Sequence, residues 1–302
     1  MAPDCANRRP DGNAPPTAER NIMRTIVITG SSSGIGAAAA IRLAGQGKQV
    51  VITGRSAAKL AEVHRAMAAA APEEARIPEP LVEDLSSLDG VRRLADRLLE
   101  HFPRLDVLVN NAAVQPSRRR ESADGFELSL AVNHLAPFLL TRLLSARLLE
   151  NAGRVVTTAS DSHAKGRFDF DDIPLLDGWT GALSYGRSKL ANILFTAELQ
   201  RRTPLPATCF HPGAIRTDIN RDSPFVRLVK PFERFVLAPP ERGADTLVWL
   251  ATSDEGGDPR AVYYQDRAPA ETDAGGDDPE LAARLWEVSA ELTRTHSQWP
   301  MA

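Results

Sequence analysis

Tyr185 and Lys189 stand four residues apart in Tyr185-Gly186-Arg187-Ser188-Lys189. On a helix that spacing stacks both side chains on one face. A free phenol ionises near pH 10, about three units above neutrality. An ammonium one turn away favours the phenolate, and a second positive charge nearby favours it further. A tyrosine so placed becomes an acid/base usable near neutral pH. Such pairs also occur on plain exposed helix faces, so this one needs company. Ser160 follows the β-branched run Arg154-Val155-Val156-Thr157-Thr158, and its hydroxyl could hold a carbonyl oxygen. Ser162 is a competing hydroxyl.

These groups need a scaffold, and the chain is organised around Thr29-Gly30-Ser31-Ser32-Ser33-Gly34-Ile35-Gly36. The short run Thr25-Ile26-Val27-Ile28 before it is a strand pattern. The stretch Ala37 to Leu43 after it is a strong helix former. Glycines on a strand-to-helix turn let the backbone bend tightly and approach a diphosphate, which the free N–H groups of the helix start then face. The spacing is G-x-x-x-G-x-G rather than G-x-G-x-x-G.

Strand and helix patterns then alternate. Strands are predicted at Gln49 to Arg55, Pro78 to Asp84, Asp106 to Val109, Arg154 to Thr158, Ala207 to Phe210 and Ala261 to Tyr264. Helices are predicted at Ala57 to Ala71, Leu88 to His101, Ala123 to Leu149 with a bend at Pro137, Leu183 to Arg201, 240 to 252 and Pro279 to Thr293. Pro78 and Pro80 make the third strand a poor one, which suits an edge. In a doubly wound sheet of order 3-2-1-4-5-6 the third strand is that edge. The fold class is α/β, a doubly wound Rossmann fold with a mostly parallel seven-stranded sheet flanked by helices.

The 302 residues carry 36 Lys and Arg against 39 Asp and Glu, a net charge of −3, which argues against a nucleic-acid partner. With 43% hydrophobic residues the chain can fill a globular core. Two cysteines, Cys5 and Cys209, make no disulfide framework and fit a reducing, cytoplasmic setting. Cys209 lies in an apolar run and is expected in the core. Residues 1–22 lack the apolar segment of a signal peptide and are read as a disordered leader to a single domain over 23–302. No run of about 18 apolar residues is seen, so no membrane span is expected. Asp161, His163 and the run Asp169-Phe170-Asp171-Asp172 lack ligand spacing, so no metal is expected. Arg118-Arg119-Arg120 is read as a solvated loop beside the cleft.

Taken together, Thr29-Gly30-x-x-x-Gly34-Ile35-Gly36, Asn110-Asn111-Ala112, Asn133, Ser160, Tyr185-x-x-x-Lys189 and His211-Pro212-Gly213 resemble the short-chain dehydrogenase/reductase family in order and spacing, over roughly residues 24 to 293. Three stretches, Val132 to Thr141, Ser188 to Thr196 and Ala283 to Glu287, are closer to the retinol-dehydrogenase-like branch. The resemblance implies hydride transfer between a nicotinamide and an alcohol/carbonyl substrate. Tyr185 would exchange the proton with the substrate oxygen. Lys189 would hold the nicotinamide ribose and depress the Tyr185 pKa. Ser160 would steady the carbonyl, and Asn133 would bind a backbone-linked water in the proton relay. Gly30, Ser32, Ser33, Gly34, Ile35 and Gly36 would cradle the diphosphate. Asp84 and Leu85 would lie at the adenine, Asn110 to Ala112 along the adenosine side, and Pro212, Gly213 and Thr217 at the nicotinamide. The family usually has Asn-Ala-Gly where this chain has Asn111-Ala112-Ala113; the extra methyl is harmless if φ is negative at Ala113.

An acidic residue that holds the ribose hydroxyls of NAD should fall about 20 residues beyond the glycines. At that place the chain reads Thr53-Gly54-Arg55-Ser56, with no carboxylate. Arg55 could pair with a 2′-phosphate, so NADP(H) is expected over NAD(H). Residues 218–240 are rich in Phe, Val and Leu, and this region forms the substrate lid in the family, which suggests an apolar carbonyl or alcohol substrate. Residues 224–237 could instead touch a membrane surface, or simply pack on the core. A homodimer or a monomer is expected. Two other readings stay open: a non-catalytic NADP-binding sensor or scaffold, and a nucleotide-sugar epimerase or dehydratase, for which the C-terminal region leaves little room.

Overall fold

The computed structural model describes residues 24–215, 237–273, 275–295 and 299. The expected leader, Thr217 and nearly all of the 224–237 segment lie outside them. Strands β1 (Thr25–Ile28), β2 (Gln49–Gly54), β3 (Leu81–Val82), β4 (Val107–Asn110), β5 (Arg154–Thr158), β6 (Ala207–His211) and β7 (Tyr263–Gln265) form one parallel sheet, and β8 (Ala268–Pro269) adds to it antiparallel. The order is β3-β2-β1-β4-β5-β6-β7-β8. This is a doubly wound α/β sheet with β3 at an edge.

The central strands are buried on both faces, so they read as unbroken apolar runs rather than alternating ones. Alternate residues part company. Val27, Val51, Leu108 and Val155 pack under helices α3 (Leu88–His101), α4 (Leu128–Glu150) and α5 (Gly181–Arg202). Ile26, Ile28, Val50, Ile52, Val107 and Val109 pack under α1 (Gly34–Gly45), α2 (Ala57–Ala70) and α6 (Pro240–Thr252). The last helix, α7 (Pro279–Leu292), packs against α5 and brings Trp286 beside Phe138, Phe195 and Trp299.

The sheet has eight strands rather than the expected seven. Asp266 and Arg267 both take positive φ, 47° and 63°, and turn the chain back on itself. Two left-handed residues make a tight hairpin, but this one lacks the Asn-Gly or Asp-Gly signature. The fourth helix starts at Leu128 instead of Ala123, because Gly125 at φ 82° folds Ser122 to Phe126 into a turn and the Glu127 carboxylate accepts the Leu130 N–H as a cap. By length and composition Leu128–Glu150 passes for a membrane span, contrary to the sequence expectation. It is a core helix of the sheet, and 83% of its apolar window is buried.

Candidate active site at the carboxyl edge of the sheet

Every parallel strand from β1 to β6 ends at the same edge, and each contributes a loop there. The β1 turn places Gly30 (φ 67°) and Gly34 (φ 59°) in the left-handed region that favours glycine. A Cβ on Gly30 would stand 2.5 Å from the Ala112 Cα. One on Gly36 would stand 2.5 Å from the Asn111 Nδ2 and 2.8 Å from the Gly30 carbonyl oxygen. The turn is therefore pressed against the exit of β4. Thr29 Oγ1 accepts the N–H groups of Asn111 (2.9 Å) and Ala112 (3.0 Å), and Asn111 Nδ2 donates to the Thr29 carbonyl at 3.0 Å. Asn111 thus braces the glycine turn with its side chain. Ala113 does not take positive φ, so its methyl costs no backbone strain.

Ser31 is buried and ties β1 to β2 through Ile28 and Thr53. Ser32 and Ser33 stay half-buried at the surface of the turn. Ile35 is buried under α6 residues, behind the turn. Helix α1 begins after Ser33 with no side-chain cap and no acid in its first turn, unlike α2, α3, α5 and α7, which Ser56, Ser87, Thr180 and Asp278 cap. Its first N–H groups are left for an outside partner, and an anionic diphosphate suits them.

At the end of β2, Arg55 is exposed and has no ion pair or hydrogen bond among the described residues. Ser32 reaches the same corner: a Cβ on Gly54 would lie 3.3 Å from its Oγ. Past β3, Asp84 is exposed and accepts the Ser86 N–H at 3.0 Å, whereas Leu85 is buried. Gly90 is forced here, because a Cβ would lie 2.1 Å from the Asp84 carbonyl oxygen. Pro212 and Gly213 (φ 87°) are half-buried at the end of β6.

Ser160 leaves β5 in extended backbone and caps the 3-10 turn Asp161–Lys165, its Oγ accepting the Ser162 N–H at 3.2 Å. The same Oγ donates to the Asp161 carboxylate at 3.0 Å. This turn rests directly on α5. A Cβ on Gly166 would lie 2.6 Å from the Gly186 carbonyl oxygen, and one on Gly186 would lie 2.6 Å from that of Ser162. Two glycines thereby bring the Ser160 turn up to the helical turn that carries Tyr185.

One turn along α5, Lys189 is almost fully buried. Its Nζ donates to the Thr158 carbonyl at 2.7 Å and lies 5.4 Å from the Tyr185 ring centre. Asn133 is buried between two elements. Its Oδ1 accepts the Val114 N–H at 2.7 Å, and its Nδ2 donates to the Val114 carbonyl and to Ser188 Oγ, both at 2.9 Å. Ser188 in turn donates to the Tyr185 carbonyl at 2.7 Å. The structure so links Asn133 to the turn of helix that carries Tyr185. Around Asn133 the fourth helix widens into a π segment, Ala131–Leu135. The ordinary helical partner of the Asn133 carbonyl is the N–H of residue 137, and Pro137 has none. Where a bend was expected, the structure has this widened turn.

The electrostatics differ from the sequence expectation. Burial dominates at Tyr185 and pushes its pKa above the usual phenol value; the Ser160 hydroxyl pulls it back down, and the Asp161 charge adds to the rise. Burial also lowers the Lys189 ammonium to about 7. Spacing brings the two side chains together, but Lys189 is buried and Tyr185 half-buried, and low dielectric penalises both charged forms. The phenol is therefore a proton donor in this form. Cys209, packed under Lys189 and Ile193, is a core residue pushed up to about 12 by burial.

Three features escaped the sequence reading. Gly166 and Gly186 carry no motif signal beyond being glycine. The Pro137–Asn133 relation was legible, since a proline four residues after a helix residue removes that residue's bond. His163 was weighed only as a metal ligand without partners and His211 only as part of a motif, yet both are buried against the Ser160 turn. The Asp169–Asp172 run closes its own turns, with Asp169 accepting from Asp171 and Asp172 from Leu176 and Asp177.

The sequence model for short chain dehydrogenase matches residues 24–224. The chain is 41% identical over 274 residues to the candidate daunorubicin C-13 ketoreductase DnrU of Streptomyces sp. (strain C5), covering 88% of this chain and 91% of that one. It is 36% identical over 285 residues to human retinol dehydrogenase 14, covering 88% and 85%. Among solved structures, an uncharacterised protein of Mycobacterium Paratuberculosis superposes with TM-score 0.73 at 34% identity, over 92% of this chain and 95% of that one. A metagenomic short-chain oxidoreductase in complex with NADP superposes with TM-score 0.56 at 27% identity, over 76% and 90%. With two thirds of the chain inside the family match and relatives this close over most of their length, the chain belongs to the short-chain dehydrogenase/reductase family, in its retinol-dehydrogenase-like branch, and is an oxidoreductase of alcohol and carbonyl groups that uses NAD(P).

Proposed function

We propose that the protein reduces an apolar carbonyl compound, or oxidises the matching alcohol, with NADP(H) as cofactor and Tyr185 as acid/base. The observation that carries this is Lys189 Nζ 5.4 Å from the Tyr185 ring centre, with the Ser160 turn laid on the same stretch of helix through Gly166 and Gly186 at the carboxyl edge of the sheet. When bound, the nicotinamide supplies or accepts the hydride. The uncapped start of α1 and the glycine turn would hold its diphosphate, and Lys189 its ribose. The free carbonyl expected at Asn133 would hold the relay water. In the reducing direction Tyr185 starts protonated and gives its proton to the substrate oxygen, while Ser160 swings from Asp161 to donate to the same oxygen. In the oxidising direction Tyr185 must first lose that proton, so positive charge has to arrive beside it before it can act.

Arg55, exposed and unpaired among the described residues at the end of β2, supports NADP(H): its guanidinium could pair with a 2′-phosphate, and Thr53-Gly54-Arg55-Ser56 holds no carboxylate. An apolar substrate is supported by the run from Pro224 to Leu237 and by relatives named for retinol and for a daunorubicin ketone. NADPH oxidation against a panel of carbonyl compounds, run with wild type and Tyr185→Phe, tests the proposal. Turnover by wild type and a loss of at least about a hundredfold in the variant is expected. If both proteins bind NADPH and neither turns over any compound, the protein is a cofactor-binding sensor.

A further inference from the structure

We infer that His163 and His211 clamp one peptide unit, that between Ser160 and Asp161, and so act as positioning residues for the Ser160 hydroxyl. The inference rests on the catalytic reading above and goes beyond it, since neither imidazole touches the reacting atoms.

The two histidines take the peptide from opposite sides. His163 Nδ1 lies 2.6 Å from the Ser160 carbonyl oxygen. His163 Nε2 accepts the main-chain N–H of Asp273 at 2.9 Å. A ring nitrogen that accepts an N–H carries no proton, so this imidazole is neutral with its hydrogen on Nδ1, which donates to Ser160. The ring is 3% exposed and sits edge-on to Tyr263 at 5.3 Å. On the other side, the Asp161 N–H donates to His211 Nδ1 at 3.2 Å. His211 therefore holds its own hydrogen on Nε2, the mirror of the His163 arrangement. Its Nε2 lies 3.9 Å from the Asp161 carboxylate.

The C=O of Ser160 and the N–H of Asp161 belong to one rigid plane. Holding both ends fixes that plane, and with it the direction in which the Ser160 Cα presents Cβ and Oγ. One clamp comes from the 3-10 turn and one from the end of β6, so the serine is referred to two elements of the scaffold. Through Asp273, His163 also ties the turn to the segment joining β8 to α7. Misplacement of a reacting group by about 1 Å can cost on the order of a hundredfold in rate. A buried ring with both nitrogens used suits such a task better than bulk packing, which an aliphatic side chain would supply.

Paired substitutions separate the two bonds. In His163→Asn the amide NH₂ can replace the Nδ1–H donor to Ser160, and the link to Asp273 is lost. In His163→Gln the reach suits Asp273, and the side-chain donor to Ser160 is lost, while the main-chain N–H of residue 163 still donates to that carbonyl at 3.1 Å. His211→Asn keeps an acceptor for the Asp161 N–H, and His211→Leu removes it. For NADPH-dependent carbonyl reduction, His163→Asn and His211→Asn should keep kcat within about threefold of wild type. His163→Gln and His211→Leu should lose about tenfold to a hundredfold in kcat, with NADPH affinity changed less than about twofold. Equal kcat losses within each pair, or wild-type kcat in Gln and Leu, would overturn the clamp. A readout independent of turnover is the ¹⁵N spectrum of the histidine rings at neutral pH. Hydrogen on Nδ1 of His163 and on Nε2 of His211 supports the clamp, and the reverse tautomer at either ring overturns it. A wild-type protein without turnover but with these tautomers would refute the catalytic reading alone.

Discussion

Gly166 and Gly186 meet backbone to backbone, so closely that neither can carry a side chain where it stands: each added Cβ would come within 2.6 Å of a main-chain oxygen. The contact lays the Ser160 turn directly on the helical turn that bears Tyr185. Gly186→Ala must push them apart, because the obstacles, the Ser162 oxygen and the Gly166 nitrogen, are backbone. Overpacking of this kind costs about 1–3 kcal/mol. The expected outcome is a lower urea midpoint together with a kcat loss of roughly a hundredfold. Retained kcat in a merely destabilised variant would show that the close contact does not set the Ser160–Tyr185 geometry.

The sheet was legible because parallel strands covered on both faces must be apolar throughout. Arg154–Thr158 and Leu88–His101 came out with the residues read from their patterns. The edge position of β3 followed from Pro78 and Pro80. What the pattern could not carry was anything set by a contact between distant segments. The Asp266-Arg267 hairpin takes left-handed backbone without the residues that usually mark it. The contacts of His163 and His211 join positions 160, 161, 163, 211 and 273, and no spacing in the sequence links them. Tyr185 and Lys189 show the limit most clearly. Four-residue spacing brought them together, but it cannot report burial, which raises the phenol above its usual value.

Arg55 is the group on which the proposed preference for NADP(H) rests. Removing its charge should weaken a contact to a 2′-phosphate and leave a cofactor without that phosphate untouched. For Arg55→Ala, KM for NADPH should rise about tenfold or more while kcat/KM for NADH stays within about twofold. Steady-state kinetics with both cofactors measure this. A variant that keeps its NADPH preference, or a wild type that prefers NADH, would place the discrimination elsewhere.

Pro137 offers a test of the relay. Its ring withholds the N–H that would otherwise close on the Asn133 carbonyl. Pro137→Ala restores that donor and should draw the π segment Ala131–Leu135 toward regular helix. The protein should be as stable or slightly more so, yet kcat should fall about tenfold if the proposed relay water uses this carbonyl, because the restored N–H competes for the oxygen and re-aims it. Rising stability with falling turnover would tie the widened turn to function. Unchanged turnover would make it an accident of packing.

His134 gives a stability effect whose sign is fixed by its surroundings. The ring is fully buried beside Phe138 and Phe195, and its Nε2 bonds Ser289 Oγ at 2.8 Å. Ser289 already donates to the Leu285 carbonyl, so its oxygen accepts and Nε2 carries the hydrogen. Burial lowers the pKa from 6.5 to about 3. In the unfolded chain the imidazole takes a proton as pH falls through its ordinary value, whereas the folded ring refuses it until about pH 3. Between those limits the unfolded state binds the extra proton, so acid favours unfolding with a slope of up to about 1.4 kcal/mol per pH unit from this one group. His134→Leu lacks that group. The variant should be less stable than wild type at pH 7, having lost the Ser289 bond, and the gap should narrow steadily as urea midpoints are followed from pH 7 to 4.5. Other titrating groups, His211 among them, act on both proteins alike and drop out of the difference. Parallel curves across that window would mean that the folded ring is protonated as readily as the unfolded one.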